Sequence, residues 1–275
     1  SIQATAAKMR RHIIEMGYTA GGRGAHFGPA LSSVEIVSSL FFGVMNHNPE
    51  NPHMPERDRF VLSKGHACMV YYAALVEAGY ITEEEMYTFK QDESFLSGHP
   101  SLNMDHGIEV STGSLGNGFS IACGMAKAAK IKKEDHNVFC IVGDGECDEG
   151  IIWEAAMNAV KNNLDNLIAF VDRNGVQLAG RTKDIMDFDI EAAWRAFGWE
   201  VLVLEEGNDI AKIIAAVEQL KNSDSGKPHV IIANTIKGKG ISFMEDNLNW
   251  HARVMEKEQY EEAVAYLESL EQEDK

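Results

Sequence analysis

The sequence predicts an α/β protein with three layers, a parallel sheet with helices on both faces. Three observations predict it. Short apolar runs bounded by turn residues recur from Val138 onward, at 138–142, 167–171, 199–204 and 229–234. Helical patterns separate them at about 151–162, 189–197 and 208–222, and strands alternating with helices imply right-handed crossovers. The chain has 275 residues and 45% hydrophobic content, enough for one large core. It shows no repeat, low-complexity tract or linker, so 1–275 reads as a single domain.

The first hundred residues read as mostly helical. Residues 2–18 are amphipathic and end at Gly17. A second helix is predicted from Ser32 to Val44, with Ser32 or Ser33 as its N-cap. Asn46 to Pro55 is a Pro- and Asn-rich loop. Helices follow at 65–79 and 82–90, the second opened by Thr82 with Glu85 three residues on. Gly116 to Lys132 is entered through glycines, and a last helix at 256–271 precedes a charged tail.

Charge narrows the function. Twenty-five basic against 42 acidic residues leave −17. That opposes a nucleic-acid partner, because no basic field is available to release phosphate counterions. An anionic ligand needs local help from backbone donors, histidines or a metal. No run approaches the roughly 20 apolar residues of a membrane span. Ser1 to Gly17 is charged and unlike a signal peptide, so a cytoplasmic location is expected. Cys68, Cys123, Cys140 and Cys147 lack zinc-type spacing. The first three read as core, and Cys147, after a glycine turn, reads as exposed near a site.

In an open parallel sheet, ligands sit at the carboxyl ends of strands. Two such ends carry unusual residues. The run 138–142 leads into Gly143-Asp144-Gly145, and 167–171 into Asp172-Arg173-Asn174-Gly175. If the strands are neighbours, Asp144 and Asn174 can converge on one hard cation such as Mg²⁺, which takes oxygen ligands and is shared with phosphates. Flanking glycines let phosphates approach the backbone. The helix after Glu149-Gly150 adds N-terminal donors. Each motif alone is a common turn. Together, with 28 residues between Gly145 and Asn174, they match the thiamine-diphosphate fingerprint.

Along nearly its whole length the chain resembles the N-terminal domain of transketolases. The match is carried by Asp58 to Ala67 (DRFVLSKGHA), Ser97 to Pro100 (SGHP), Thr112 to Gly118 (TGSLGNG), and Lys237 to Gly240 (KGKG) followed by Trp250-His251. The resemblance implies thiamine diphosphate and Mg²⁺ as cofactors, with Asp144, Asn174 and the Val176 carbonyl as metal ligands. Gly145 would contact the diphosphate, and Gly113, Ser114 and Leu115 the rings. His66 and His251 would lie against the diphosphate and the substrate channel, His26 and His99 against the sugar. Glu149 would couple two active sites across the dimer interface. The other histidines, His12, His47, His53, His106, His136 and His229, read as ordinary surface or core residues. The basic segment 237–239 reads either as a solvated loop or as a closure over the cofactor.

The resemblance also implies a missing half. In transketolases the glutamate that activates the cofactor, and most groups that bind the sugar phosphate, lie in a second, pyrimidine-binding domain. A split enzyme is therefore expected, in which this chain works with a C-terminal subunit carrying the pyrimidine and C-terminal domains, as a heterotetramer. It would transfer a two-carbon ketol unit from a ketose to an aldose. The competing readings are the alpha subunit of a 2-oxo acid or acetoin dehydrogenase and a non-catalytic cofactor-binding scaffold. A nucleotide-binding Rossmann enzyme fits the sheet but lacks GxGxxG after a first strand.

The chain departs from the family pattern twice. Where transketolases carry Gly-His-Pro-Gly, it has Ala25-His26-Phe27-Gly28 after Gly21-Gly22-Arg23-Gly24. Ala252-Arg253 follows His251, where glycine is common. Both lie at the expected substrate mouth. They leave the sugar open between an ordinary pentose phosphate and a modified ketose, branched or sulfonated. Sequence drift without a change of substrate competes with the second.

Overall fold

The computed structural model describes residues 1–273, with side chains through Leu270. It contains seven strands: β1 Arg59–Leu62, β2 Val138–Gly143, β3 Leu167–Arg173, β4 Val176–Gln177, β5 Gly180–Arg181, β6 Glu200–Leu204 and β7 His229–Asn234. Five form one parallel sheet in the order β1-β2-β3-β7-β6. β4 and β5 make a small antiparallel hairpin.

The helices are α1 Ile2–Thr19, α2 Phe27–Leu31, α3 Val34–Ser39, α4 Cys68–Ala78, α5 Glu83–Met86, α6 Asn117–Lys132, α7 Gly150–Lys161, α8 Thr182–Ile185, α9 Ile190–Ala196, α10 Ile210–Lys221 and α11 Lys257–Glu273. They cover both faces of the sheet. Phe60, Phe139, Ile141, Phe170 and Ile231 point into one core, shared with residues of α1, α3, α4 and α10. Val61, Cys140, Val142, Val171 and Ile232 point into the other, shared with α6, α7 and the indoles of Trp194 and Trp199. Strands buried on both faces read as continuous apolar runs, which is why four of them stand out in the sequence.

Three elements differ from expectation. β1 adds a fifth strand to a region expected to be helical. Its four residues are too few to show a period, and Arg57, Asp58 and Arg59 mask them. The helix expected at 32–44 starts earlier and is broken. Ser32 and Ser33 interrupt it between α2 and α3, and it ends in a wider π turn at Leu40–Val44. Phe27–Val44 as a whole has a mean hydropathy of 1.4 over 18 residues and is 83% buried. It is the one helical stretch, among the described residues, long and apolar enough to cross a membrane. Here it packs as core. The helix at 82–90 has its capping box, with Thr82 Oγ1 accepting from Glu85 N at 3.1 Å and Glu85 Oε2 from Thr82 N at 2.9 Å. It stops at Met86, and left-handed Lys90 and Glu93 (φ 57° and 66°) then fold the chain into tight turns.

The register places the site. Gly143 lies level with Asp172, and Asp172 with Ala233. The carboxyl ends of β2, β3 and β7 therefore open side by side, and Ser63-Lys64 leaves β1 at the same edge.

Candidate active site

Two fully buried carboxylates build the floor. Asp172 Oδ2 accepts from Ser32 Oγ at 2.6 Å, Ser33 Oγ at 3.3 Å, Asn174 Nδ2 at 3.0 Å and the Lys64 ammonium, and Oδ1 accepts from the Thr235 hydroxyl. Burial alone would push this carboxyl up, but Lys64 and the hydroxyls outweigh it and hold it below the usual range. Glu146 accepts from Gly116 N at 2.8 Å, Gly143 N at 2.9 Å and the Ser63 hydroxyl. It ties the end of β1, the end of β2 and the entrance of α6 together.

Asp144 stands over this floor and is 3% exposed. It accepts from Gly145 N at 2.9 Å and Gly175 N at 2.6 Å. Burial, then the charge of Asp172, pushes it up to about 6. Such a carboxylate is short of positive charge. Asn174 Nδ2 donates to Asp172, so its Oδ1 is oriented away, where it accepts from Val176 N at 3.1 Å. The Val176 carbonyl accepts from Lys237 Nζ at 2.7 Å. Asp144, Asn174 and the Val176 carbonyl are all hard oxygen donors on one wall, and the chemistry of that set fits a magnesium ion.

Lys237 settles the two readings of the basic segment for this one residue: it is 2% exposed and points inward. Its Nζ also meets His251 Nδ1 at 2.9 Å. Burial, then repulsion from Lys64, lowers its pKa to about 8. Because Lys237 donates to Nδ1, the neutral His251 ring carries its proton on Nε2. Lys239 remains at the surface, paired with Glu245 at 3.3 Å.

Lys64, Asp144, Glu146, Asn174, Val176, Lys237 and His251 line a cleft of about 350 Å³, together with His66, His99, Gly113, Leu115, Gly145 and Glu149, a size suited to a cofactor. Close approach needs the glycines. A Cβ on Gly145 would lie 2.6 Å from Gln177 Oε1, and one on Gly65 2.6 Å from Thr112 Oγ1. Glu149 is exposed on the rim as the N-cap of α7. Ser114 is exposed beside Gly113, its carbonyl accepting from Asn117 N at 3.2 Å rather than lining the cleft. A larger open cavity, about 640 Å³, lies away from this chemistry beside Arg10, Glu35 and Asn208.

Four histidines crown the cleft. Ring centroids stand 5.3 Å apart for His26 and His66, 5.5 Å for His66 and His251, 5.7 Å for His26 and His251, and 6.4 Å for His26 and His99. Burial is the main force on all four, reinforced by nearby lysines. It lowers His26 to about 4, His66 to about 2 and His251 to about 3, and also lowers His99. All four are therefore neutral near pH 7, each ring offering one donor and one acceptor.

Sequence reasoning did not single out Asp172, Lys64 or Glu146. The signal was present: Asp172 closes an apolar strand, and the lysine of SKGH is charged inside a motif of small residues. Cys147, expected near the surface, is wholly buried, since the turn after Gly145 folds it under α7 among the residues around Trp194.

Fold and site together define a thiamine-diphosphate-binding domain, and the comparisons agree. The transketolase thiamine diphosphate binding domain family matches residues 3–267. The chain belongs to that family. It is 43% identical to an apulose-4-phosphate transketolase subunit of Actinobacillus succinogenes, covering 97% of this chain and 95% of the relative. It is 46% identical over 244 residues to a 6-deoxy-6-sulfo-D-fructose transketolase subunit of Clostridium sp. (strain MSTE9), covering 88% of each. The crystal structure of Campylobacter jejuni transketolase superposes with a TM-score of 0.89 at 32% identity, covering 97% of this chain but 42% of that one. The chain thus has the extent of a split transketolase's N-terminal subunit.

Proposed function

We propose that the chain is the diphosphate-binding subunit of a two-subunit transketolase acting on a modified, anionic ketose, with Mg²⁺ held by Asp144, Asn174 and the Val176 carbonyl. One observation carries the reading: a wall of oxygen donors and a buried lysine lies beneath four neutral histidines packed ring to ring. Two of the relatives above are transketolase subunits named for a sugar phosphate and a sulfo-sugar, which supports the substrate class.

When bound, thiamine diphosphate supplies the electron sink for carbon–carbon cleavage and formation. The chain's own residues bind and orient. Buried Lys237 and Gly145, both lining the cleft, suit the diphosphate, and Asp172 fixes Asn174 through its amide. The neutral imidazoles of His26, His66 and His99 can donate to or accept from sugar hydroxyls, and His251 presents Nε2–H for the same purpose. The exposure of Glu149 on the rim supports its contact with a neighbouring subunit. The partner is a C-terminal subunit with a pyrimidine-binding domain, in a heterotetramer. Four free, buried thiols suit a reducing cytoplasm.

The test is reconstitution. The chain alone, with thiamine diphosphate and Mg²⁺, is expected to show no ketol transfer, and addition of the partner restores it. Robust transfer by the isolated chain would overturn the split reading. In the complex, Asp144→Ala is expected to weaken magnesium-dependent cofactor binding more than about 100-fold, because changes one shell further out already cost 10–100-fold. Unchanged affinity rejects the ligand set.

A further inference from the structure

The segment that follows β7 alternates between two cavities. Toward the cleft, the Thr235 hydroxyl donates to Asp172, and Lys237 Nζ reaches the Val176 carbonyl and His251. Ile236, between them, lines the open cavity of about 640 Å³ instead. Its N–H donates to Asn208 Oδ1 at 2.9 Å. Further on, the Lys239 carbonyl accepts from Arg10 Nε at 3.1 Å. Gly240, at φ 87°, sits so close that a Cβ there would run into the Arg10 guanidinium.

Both outer contacts lean on one carboxylate. Glu35, on α3, is 7% exposed. Its Oε2 accepts from Asn208 Nδ2 at 2.8 Å, and its Oε1 pairs with the Arg10 guanidinium. Because Nδ2 is the donor of the Asn208 amide, Glu35 turns Oδ1, the acceptor, toward Ile236. The same Nδ2 donates to Ser32 O at 3.1 Å, and Ser32 Oγ in turn donates to Asp172. Gly207 fixes the start of this loop, since a Cβ there would lie 2.7 Å from the backbone of Asn234.

Lys237 needs such a brace. Its ammonium is buried, yet the partners it meets are a carbonyl and an imidazole, both uncharged. A buried charge without a counter-charge is costly, and a flexible lysine stem lets the ammonium swing to water once its backbone can turn. Two further backbone bonds hold the segment, from Gly238 N to Gly28 O at 3.2 Å and from Asp246 N to Lys237 O at 2.8 Å. The Asn208 contact alone fixes the peptide just before Lys237 by a side chain.

We infer that Asn208, braced on Glu35 beside Arg10, is a positioning residue for Lys237: it fixes the backbone at Ile236 so that the next side chain stays in the cleft.

Amine labelling of the full chain tests the placement. Acetic anhydride modifies accessible lysines, and mass spectrometry reads Lys237 and Lys64 in one sample. Lys64 is 1% exposed and serves as the internal control. Asn208→Ala is expected to raise labelling of Lys237 about tenfold, the size of a lost hydrogen bond to a charged group, while Lys64 stays within about twofold. No rise at Lys237, or an equal rise at both lysines, overturns the role. Asn208→Asp keeps an acceptor for Ile236 N but loses the donor to Glu35, and it too is expected to expose Lys237. Adding Glu35→Gln returns a donor to that contact and is expected to restore protection. If the alanine variant does not fold, this pair decides, and failure to restore protection overturns the role.

The consequence for the cofactor rests on the diphosphate-binding reading. In the reconstituted holoenzyme, Asn208→Ala is expected to weaken calorimetric binding of thiamine diphosphate with Mg²⁺ several-fold. In a Lys237→Met background it is expected to have no further effect. Equal losses in both backgrounds overturn the inference, because Asn208 then acts through Ser32 and Asp172. If the wild-type holoenzyme binds no thiamine diphosphate, the diphosphate-binding reading fails instead, and the labelling alone decides the placement.

Discussion

The floor of the cleft and its mouth are held by different means. Asp172 and Glu146 each accept several hydrogen bonds from separate elements, and the lysine opposite Asp172 is as buried as the carboxylate. At the mouth, glycine-rich loops meet through one backbone bridge between Ala25 and Arg253, exposed Arg23 contacts with Gln91 and Asp92, and Lys90 reaching the Gly24 carbonyl. A buried charge network allows little variation, because each missing partner strands another charge. Loops joined by few exposed contacts can change composition at small expense. The chain keeps the family motif at the floor and departs from it at the mouth, as this difference leads one to expect.

The comparison breaks most plainly at Asp172. Asp172→Ala would leave the Lys64 ammonium buried without a counter-charge and free the Asn174 amide. The expected loss is about 3–5 kcal/mol of folding stability, read from urea midpoints of the purified chain. A loss under about 1 kcal/mol would mean that the floor is no more tightly determined than the mouth.

Between floor and mouth, the histidines give a pH signature. Their folded values, about 4 for His26, 2 for His66 and 3 for His251, lie below the unfolded value of about 6.5. The unfolded chain therefore binds more protons than the folded chain between about pH 6.5 and 4. The stability these groups allow is complete above pH 6.5 and is lost as pH falls through that window. The slope of unfolding free energy against pH, for the cofactor-free chain, is expected to correspond to up to about three protons taken up by these rings, offset by the proton that Asp144, pushed up to about 6 in the folded chain, releases on unfolding. His66→Asn, which removes the ring whose pKa is held lowest, is expected to reduce the uptake by about one. A slope identical in the variant would show that His66 titrates normally and stands outside the cluster.

How legible all this was in the sequence follows the same division. Strands covered on both faces announce themselves, so 138–142 and 229–234 needed only their apolar runs. Asp144 and Asn174 were legible because a motif fixes their spacing. Lys64, Glu146 and Asp172 were not, because a charge inside an apolar stretch does not reveal which distant residue pairs with it. Asp172 meets Lys64 across 108 positions of chain. β1 was hidden for a simpler reason: four residues between charged neighbours carry no period. The mouth was legible only as a departure. That its two altered segments bond to each other is a tertiary fact that no local pattern encodes.

The hairpin β4–β5 offers the smallest and sharpest test of the contrast. It follows directly from Asn174 and Gly175, two residues beyond the floor carboxylate Asp172, yet its tip carries Leu178, which is 75% exposed beside the cleft. Arg181 straps it to the loop after β7 by a two-pronged contact with Asp246, one prong at 2.9 Å, with side chains 35% and 60% exposed. A bridge that open is screened by solvent and is worth at most about 1 kcal/mol. Arg181→Ala is therefore expected to shift the urea midpoint little. Because the strap sets how closely the hairpin and the Lys237 loop approach each other, the same change should raise the KM for thiamine diphosphate several-fold in the holoenzyme while kcat holds. A stability loss above about 2 kcal/mol would place the hairpin with the floor, and an unchanged KM would remove it from the cofactor site.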